Sequence, residues 1–90
     1  MFVEQDLVVV KTDETIALQC TANGRPPPVI QWYKEQNQLL SSRKIAISST
    51  GLLVINAADQ NDTGFYTCVA SNSVGSDSVT ITVRVQSKLS

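Results

Sequence analysis

From Thr15 to Cys20 the chain alternates, with Ile16, Leu18 and Cys20 apolar and Thr15, Ala17 and Gln19 between them. A period of two puts one set of side chains on each side of an extended backbone, so this stretch predicts a half-buried strand. The same period returns five times. Ile30 and Trp32 alternate with Val29, Gln31 and Tyr33. Ile45 and Ile47 flank Ala46, and Leu53 and Ile55 follow Gly51 in step. Tyr66, Cys68 and Ala70 oppose Phe65, Thr67 and Val69, and Val79, Ile81, Val83 and Val85 oppose Ser78, Thr80, Thr82 and Arg84. Segments 23–28, 35–38, 48–51, 59–64 and 71–75 separate these runs and are rich in Gly, Pro, Asn, Asp and Ser, the residues that favour turns. The only hint of helix is one turn over residues 57–60. Some seven short strands so punctuated predict an all-β chain, an antiparallel sandwich or barrel whose inward positions share one core.

Ninety residues suffice for one domain and not for two. A content of 42% hydrophobic and 17% charged residues describes a folding chain rather than a disordered one. The longest purely apolar runs, Leu7 to Val10 and Leu52 to Ile55, fall far below the roughly 20 residues a spanning helix needs, so no direct membrane insertion is expected. The first six residues carry neither a basic start nor an apolar stretch, so any signal peptide or anchor is expected in a longer parent chain, and Met1 is expected to come from recombinant expression. Seven basic and eight acidic residues are well mixed, with a net charge of −1, and leave no cationic stripe for nucleic acid or anionic lipid.

Cys20, Trp32 and Cys68 all fall on the inward parity of their strands, which brings a sulfur from each of two sheets together beside an indole. An even cysteine count in so small a domain is what an oxidised bridge leaves, although two thiols of a cytosolic protein would look the same. Residues 62–68 read DTGFYTC. Tyr66 shares the inward face of Cys68, two residues on, so its ring can pack inside while its hydroxyl reaches backbone at the corner made by Asp62 and Gly64. That is a tyrosine corner. The stretch is structural and performs no chemistry.

With these pieces in place the chain resembles the immunoglobulin superfamily, specifically an intermediate-set (I-set) domain. The residues that carry the resemblance are Leu18-x-Cys20, Gly24-x-Pro26-x-Pro28 leading to Trp32-x-Lys34, Gly51-x-Leu53-x-Ile55, Asp62-x-Gly64-x-Tyr66-x-Cys68 and Ala70-x-Asn72-x-x-Gly75. The resemblance covers about residues 7–85 of a single domain, 1–90, excised from a multidomain protein. It implies an immunoglobulin-like antiparallel β-sandwich of Greek-key topology with a Cys20–Cys68 disulfide and a core signature of Trp32, Leu53, Asp62, Gly64 and Tyr66. It also implies strands A′ near 7–11, B near 14–22, C near 29–34, E near 51–56, F near 64–72 and G near 75–85. The short interval from Trp32 to Gly51 leaves no room for the C″ strand of antibody variable domains.

Chemistry finds little to work with. The chain has no histidine, no Gly-rich phosphate loop and no metal-ligand spacing, so no catalytic residue, cofactor or metal is expected. Asp59 and Asp62 read as turn formers rather than as paired catalytic carboxylates. Arg25-Pro26-Pro27-Pro28 reads as a stiffened B–C loop rather than as a polyproline ligand. Asn61-Asp62-Thr63 is an N-x-T sequon, which makes Asn61 a candidate glycosylation site.

The resemblance implies a non-catalytic binding module in the extracellular region of an adhesion or receptor protein, neural adhesion or guidance type favoured. Its partners would be a protein ligand or a second copy, together with adjacent domains of the same membrane-anchored or secreted chain. An I-set domain of an intracellular muscle or cytoskeletal scaffold is the alternative. The expected binding face is the outward parity of three neighbouring strands: Gln31 and Tyr33, then Phe65, Thr67 and Val69, then Thr80 and Thr82. Solvent-facing strand positions are normally polar, so the two aromatics and the valine mark an apolar patch. The B–C loop around Arg25 and the F–G turn around Asn72 are the other surfaces such a domain would use.

Overall fold

The structure is a computed structural model that describes residues 2–3, 7–21 and 24–87. Its strands are β1 (Phe2–Val3), β2 (Leu7–Lys11), β3 (Ile16–Thr21), β4 (Val29–Lys34), β5 (Asn37–Gln38), β6 (Ile45–Ile47), β7 (Leu52–Ile55), β8 (Gly64–Ser71) and β9 (Ser76–Gln86). They form two sheets ordered β1-β3-β7-β6 and β2-β9-β8-β4-β5, the two layers of an immunoglobulin-like sandwich. The inward parity of the sequence is the observed core. Ile16, Leu18, Cys20, Leu53 and Ile55 come from one sheet and Trp32, Tyr66, Cys68, Ile81, Val83 and Val85 from the other, all buried.

Several boundaries and pairings differ from expectation. The strand expected at 14–22 begins at Ile16, because Asp13 takes a left-handed φ of 74° and Glu14 is still in the turn, where its N–H donates to the Lys11 carbonyl at 3.1 Å. Ala22, Asn23 and Met1 lie outside the described residues. The strand expected at 75–85 runs from Ser76 to Gln86. β1 and β5 add two short strands, each held through two residue pairs, too brief to show a period. The expected helical turn sits later, as a 3-10 turn over Gln60–Asp62, because Ala57 has a φ of 52° and Asp59 caps the turn. The sandwich is not purely antiparallel. β2 pairs parallel to β9, Leu7 opposite Thr82 through Lys11 opposite Gln86, since the chain crosses between β1 and β2 from one sheet to the other.

Cys20 of β3 and Cys68 of β8 are joined by a disulfide, with Cα atoms 6.5 Å apart and a sequence separation of 48. Closing a loop of that length removes enough unfolded-chain freedom to stabilise the domain by about 4 kcal/mol. Trp32, directly opposite Cys68 in the β4–β8 ladder, packs in the same core, and its indole N–H donates to the Gly51 carbonyl at 3.2 Å. Gly51 accepts a second bond there, from the Cys20 N–H at 3.0 Å. Its φ of 98° is a conformation side chains avoid, and a Cβ on it would stand 2.0 Å from the Cys20 carbonyl oxygen. Backbone, indole and disulfide therefore meet where only glycine fits.

Gly51→Ala is accordingly expected to lower unfolding free energy by about 3 kcal/mol or more, through strain plus displacement of two buried hydrogen bonds. Gly75→Ala, where an added Cβ meets nothing within 4 Å, should stay within about 0.5 kcal/mol of the parent. Urea denaturation of both variants measures the contrast, and equal effects would refute this account of Gly51.

Candidate protein-binding face

The outward side of the β2-β9-β8-β4-β5 sheet is built by the same alternation that builds the core. Cross-strand register arranges it in rows. Gln31 stands opposite Val69, and Val69 opposite Ser78. Tyr33 stands opposite Thr67, and Thr67 opposite Thr80. Phe65 stands opposite Thr82, and Thr82 opposite Leu7. Every residue expected on the face is thus brought onto one surface. Phe65 is 55% exposed, Gln31 and Thr80 are exposed, and Tyr33, Thr67, Val69 and Thr82 are half-buried. The Tyr33 hydroxyl donates to Gln31 Oε1 at 3.3 Å, and the Thr67 and Thr80 hydroxyls bond at 3.1 Å.

The apolar weight of the face lies further toward β2 than sequence reasoning placed it. Leu7 and Val9, 56% and 50% exposed, sit on this side of the sheet, so Phe65 has its apolar company across β9 as well as along β8. The signal was present. Residues 7–10 are apolar at four successive positions, so whichever parity faces the core, the other carries large apolar groups outward.

The remaining singled-out residues lie at the two ends of the sandwich. Asn61 is exposed in the 3-10 turn, its N–H held by Asp59 Oδ1 and its carbonyl accepting from the Lys34 ammonium. Asp59 and Asp62 close that turn as a reciprocal capping box, and both carboxylates pair with the Lys44 ammonium, at 3.1 and 2.8 Å. The hydrogen bond from Lys44 holds the Asp59 carboxyl below the usual carboxylate range, and the bond to Asp62 raises the Lys44 ammonium. These carboxylates are committed to structure. Arg25 is exposed in the β3–β4 loop, and Asn72, at the β8–β9 turn, donates from Nδ2 to the Pro26 carbonyl at 2.8 Å. Among the described residues no cluster of three His, Cys, Asp or Glu side chains is placed to hold a metal.

Comparison with known proteins places the chain among domains of this build. The family model for the immunoglobulin I-set domain matches residues 3–85. The chain is 42% identical over 77 residues to mouse Hemicentin-1, covering 86% of this chain and 1% of that protein. It is 40% identical over 85 residues to the human Peroxidasin homolog, covering 94% of this chain and 6% of that one. A crystal structure of the Titin M10-Obscurin like 1 Ig complex superposes with a TM-score of 0.86 at 30% identity, over 96% of this chain and 93% of the solved one. The chain therefore spans a small fraction of the curated relatives and nearly the whole of the solved domain.

The tyrosine corner gives this scaffold a pH signature. The Tyr66 hydroxyl donates to the Asp62 carbonyl at 2.6 Å while the ring is buried. Burial first, then the charges of Asp62, Glu35 and Asp59, raise the phenol well above its ordinary pKa of about 10. The folded state therefore keeps a proton the unfolded state releases, so stability is full below about pH 10 and falls as pH rises beyond it. Tyr66→Phe should be less stable than the parent by about 1–3 kcal/mol at pH 7, from the unpaired carbonyl. Above pH 10 it should fall less steeply, with the remaining slope due to Lys44. Urea midpoints from pH 7 to 11.5 test this, and parallel curves for the two proteins would disprove it.

Proposed function

The chain belongs to the immunoglobulin I-set domain family, and on that premise we propose that it is a non-catalytic protein-interaction module of an extracellular adhesion or receptor protein, binding through the outward face of β4, β8 and β9. The observation that carries the binding role is Phe65, a large aromatic left 55% exposed on a sheet face that it shares with Tyr33, Val69 and several threonine hydroxyls. An aromatic that costs free energy in water and is held on a rigid strand is the usual anchor of a protein contact. The extracellular setting is supported by the Cys20–Cys68 disulfide, since such bridges persist in oxidising compartments, and by the exposed sequon at Asn61.

A second reading, a domain of an intracellular muscle or cytoskeletal scaffold, is favoured by the superposition on the titin complex. Thiol titration of natively expressed protein separates the two. Two free thiols would select the scaffold, and none the extracellular protein.

Under the first reading Asn61 carries glycan in protein secreted from a eukaryotic host. The expected result is a mass that drops on glycosidase treatment and is absent in Asn61→Gln, and an unchanged mass would refute it. For the face itself, replacing Tyr33 and Phe65 with alanine should weaken partner binding or self-association by about 2 kcal/mol each while leaving cooperative melting intact. Full binding by a double variant that still melts cooperatively would exclude the face and direct attention to Arg25 and Asn72.

A further inference from the structure

Resting on the reading of this chain as a protein-binding module, we propose that the open edge of β2 accepts an extended segment of a partner protein as a sixth strand, one whose side chains alternate apolar groups with carboxylates.

β2 is the terminal strand of its sheet. The direction of its free backbone groups follows from one bond. Thr12 donates its N–H to the Gln86 carbonyl at 2.8 Å, and residues two apart on a strand point their backbone groups the same way, so Val8, Val10 and Thr12 serve the β9 ladder. Leu7, Val9 and Lys11 therefore face the open side. Lys11 is already closed there, its N–H donating to Glu14 Oε1 at 2.6 Å and its carbonyl accepting from the Glu14 N–H at 3.1 Å. What remains is the edge at Leu7 and Val9, the two residues of β2 whose side chains are large, apolar and half exposed. Edge strands in soluble proteins are normally guarded by charge, proline or a bulge, and between Leu7 and Val10 this one has none of them.

The composition of the surrounding face says what the added strand carries. Its side chains on the outward side lie over Leu7 and Val9, next to the row that ends in Phe65. Among the outward positions of the five strands the charged residues are Lys11 and Arg84, neighbours across the β2–β9 ladder, Arg84 standing opposite Val9. Among the described residues, two nearby carboxylates are turned onto backbone: Glu14 onto Lys11, and Glu35, through Oε1, onto the Phe65 N–H at 3.2 Å. Next to the edge the outward positions Leu7, Val9 and Phe65 are thus apolar, with a cationic end at Lys11 and Arg84. A second copy of the chain, brought face to face, would offer no carboxylate at the outward strand positions to meet those cations, whereas an apolar segment bearing Asp or Glu satisfies side chains and edge together.

The test uses the full chain and a phage-displayed library of random peptides about a dozen residues long. Enriched peptides are expected to alternate apolar residues with Asp or Glu. As synthetic peptides they should bind at least about tenfold more weakly to Val9→Pro, which removes the edge N–H without touching the β9 ladder, and to Arg84→Glu. Should Val9→Pro fail to melt cooperatively, Leu7→Glu takes its place with the same expectation. No enrichment, or enriched peptides without acidic residues that ignore these substitutions, overturns the proposal. So does a dimer in sedimentation that Val9→Pro dissolves, which would make the occupant a second copy. If the peptides ignore Val9→Pro and Arg84→Glu but are lost on Tyr33→Ala with Phe65→Ala, the edge is wrong and the binding face stands. If they ignore both pairs, both fall.

Discussion

One covalent bond fixes which side of each sheet faces in. The disulfide joins β3 to β8 across the sandwich, so a one-residue slip of either strand would drag a sulfur out of the core and turn every neighbouring side chain over. Trp32 occupies the space beside it, and Gly51, which ties the indole to the Cys20 backbone, closes the arrangement from the opposite sheet. Because alternation is strict, fixing the inward set also fixes the outward one. Phe65 and Thr67 are on the surface for the same reason that Tyr66 and Cys68 are not, so a surface available for recognition is set by the requirements of the core.

The ends of the sandwich are stabilised by different physics. At one end the carboxylates of Asp59 and Asp62 and the Tyr66 hydroxyl bond to the backbone of a turn, and the Lys44 ammonium bridges the two carboxylates. The turn between β2 and β3 is sewn to the same end, with the Asp13 N–H donating to the Ala58 carbonyl at 2.7 Å and the Ala58 N–H to the Glu14 carbonyl at 2.9 Å. Asp59 and Asp62, which read from the sequence as turn formers, are held in a turn by the bonds of their capping box, and the lysine that pairs with both lies 15 residues before Asp59.

Where the sequence spoke clearly, it did so because one face of a strand is wet and the other dry. β3, β7, β8 and, from Ser78 on, β9 show that contrast, and their core residues were readable without coordinates. β1 and β5 have two residues each, too few to express a period, and β1 depends besides on a partner strand some eighteen residues on. The parallel pairing of β2 was hidden for a similar reason, since local pattern carries no information on strand direction. Leu7 and Val9 were overlooked on the candidate face because an unbroken apolar run reads as core. The rows of the face follow from register, which needs both strands at once, while its members could be named from parity alone.

Asn72 illustrates how loops distant in sequence can cease to be independent. Its side-chain oxygen accepts the N–H groups of Val74 and Gly75, at 2.9 and 3.1 Å, shaping its own turn, while its Nδ2 holds the Pro26 carbonyl 46 residues away. Loops are ordinarily where a fold absorbs insertions at least cost. Here the length of the β3–β4 loop and the length of the β8–β9 turn form a joint variable, because lengthening either one alone moves an end of that amide bridge out of reach. Diversification at this end of the domain would have to proceed in both loops together, or else give up the bond that makes them a single surface.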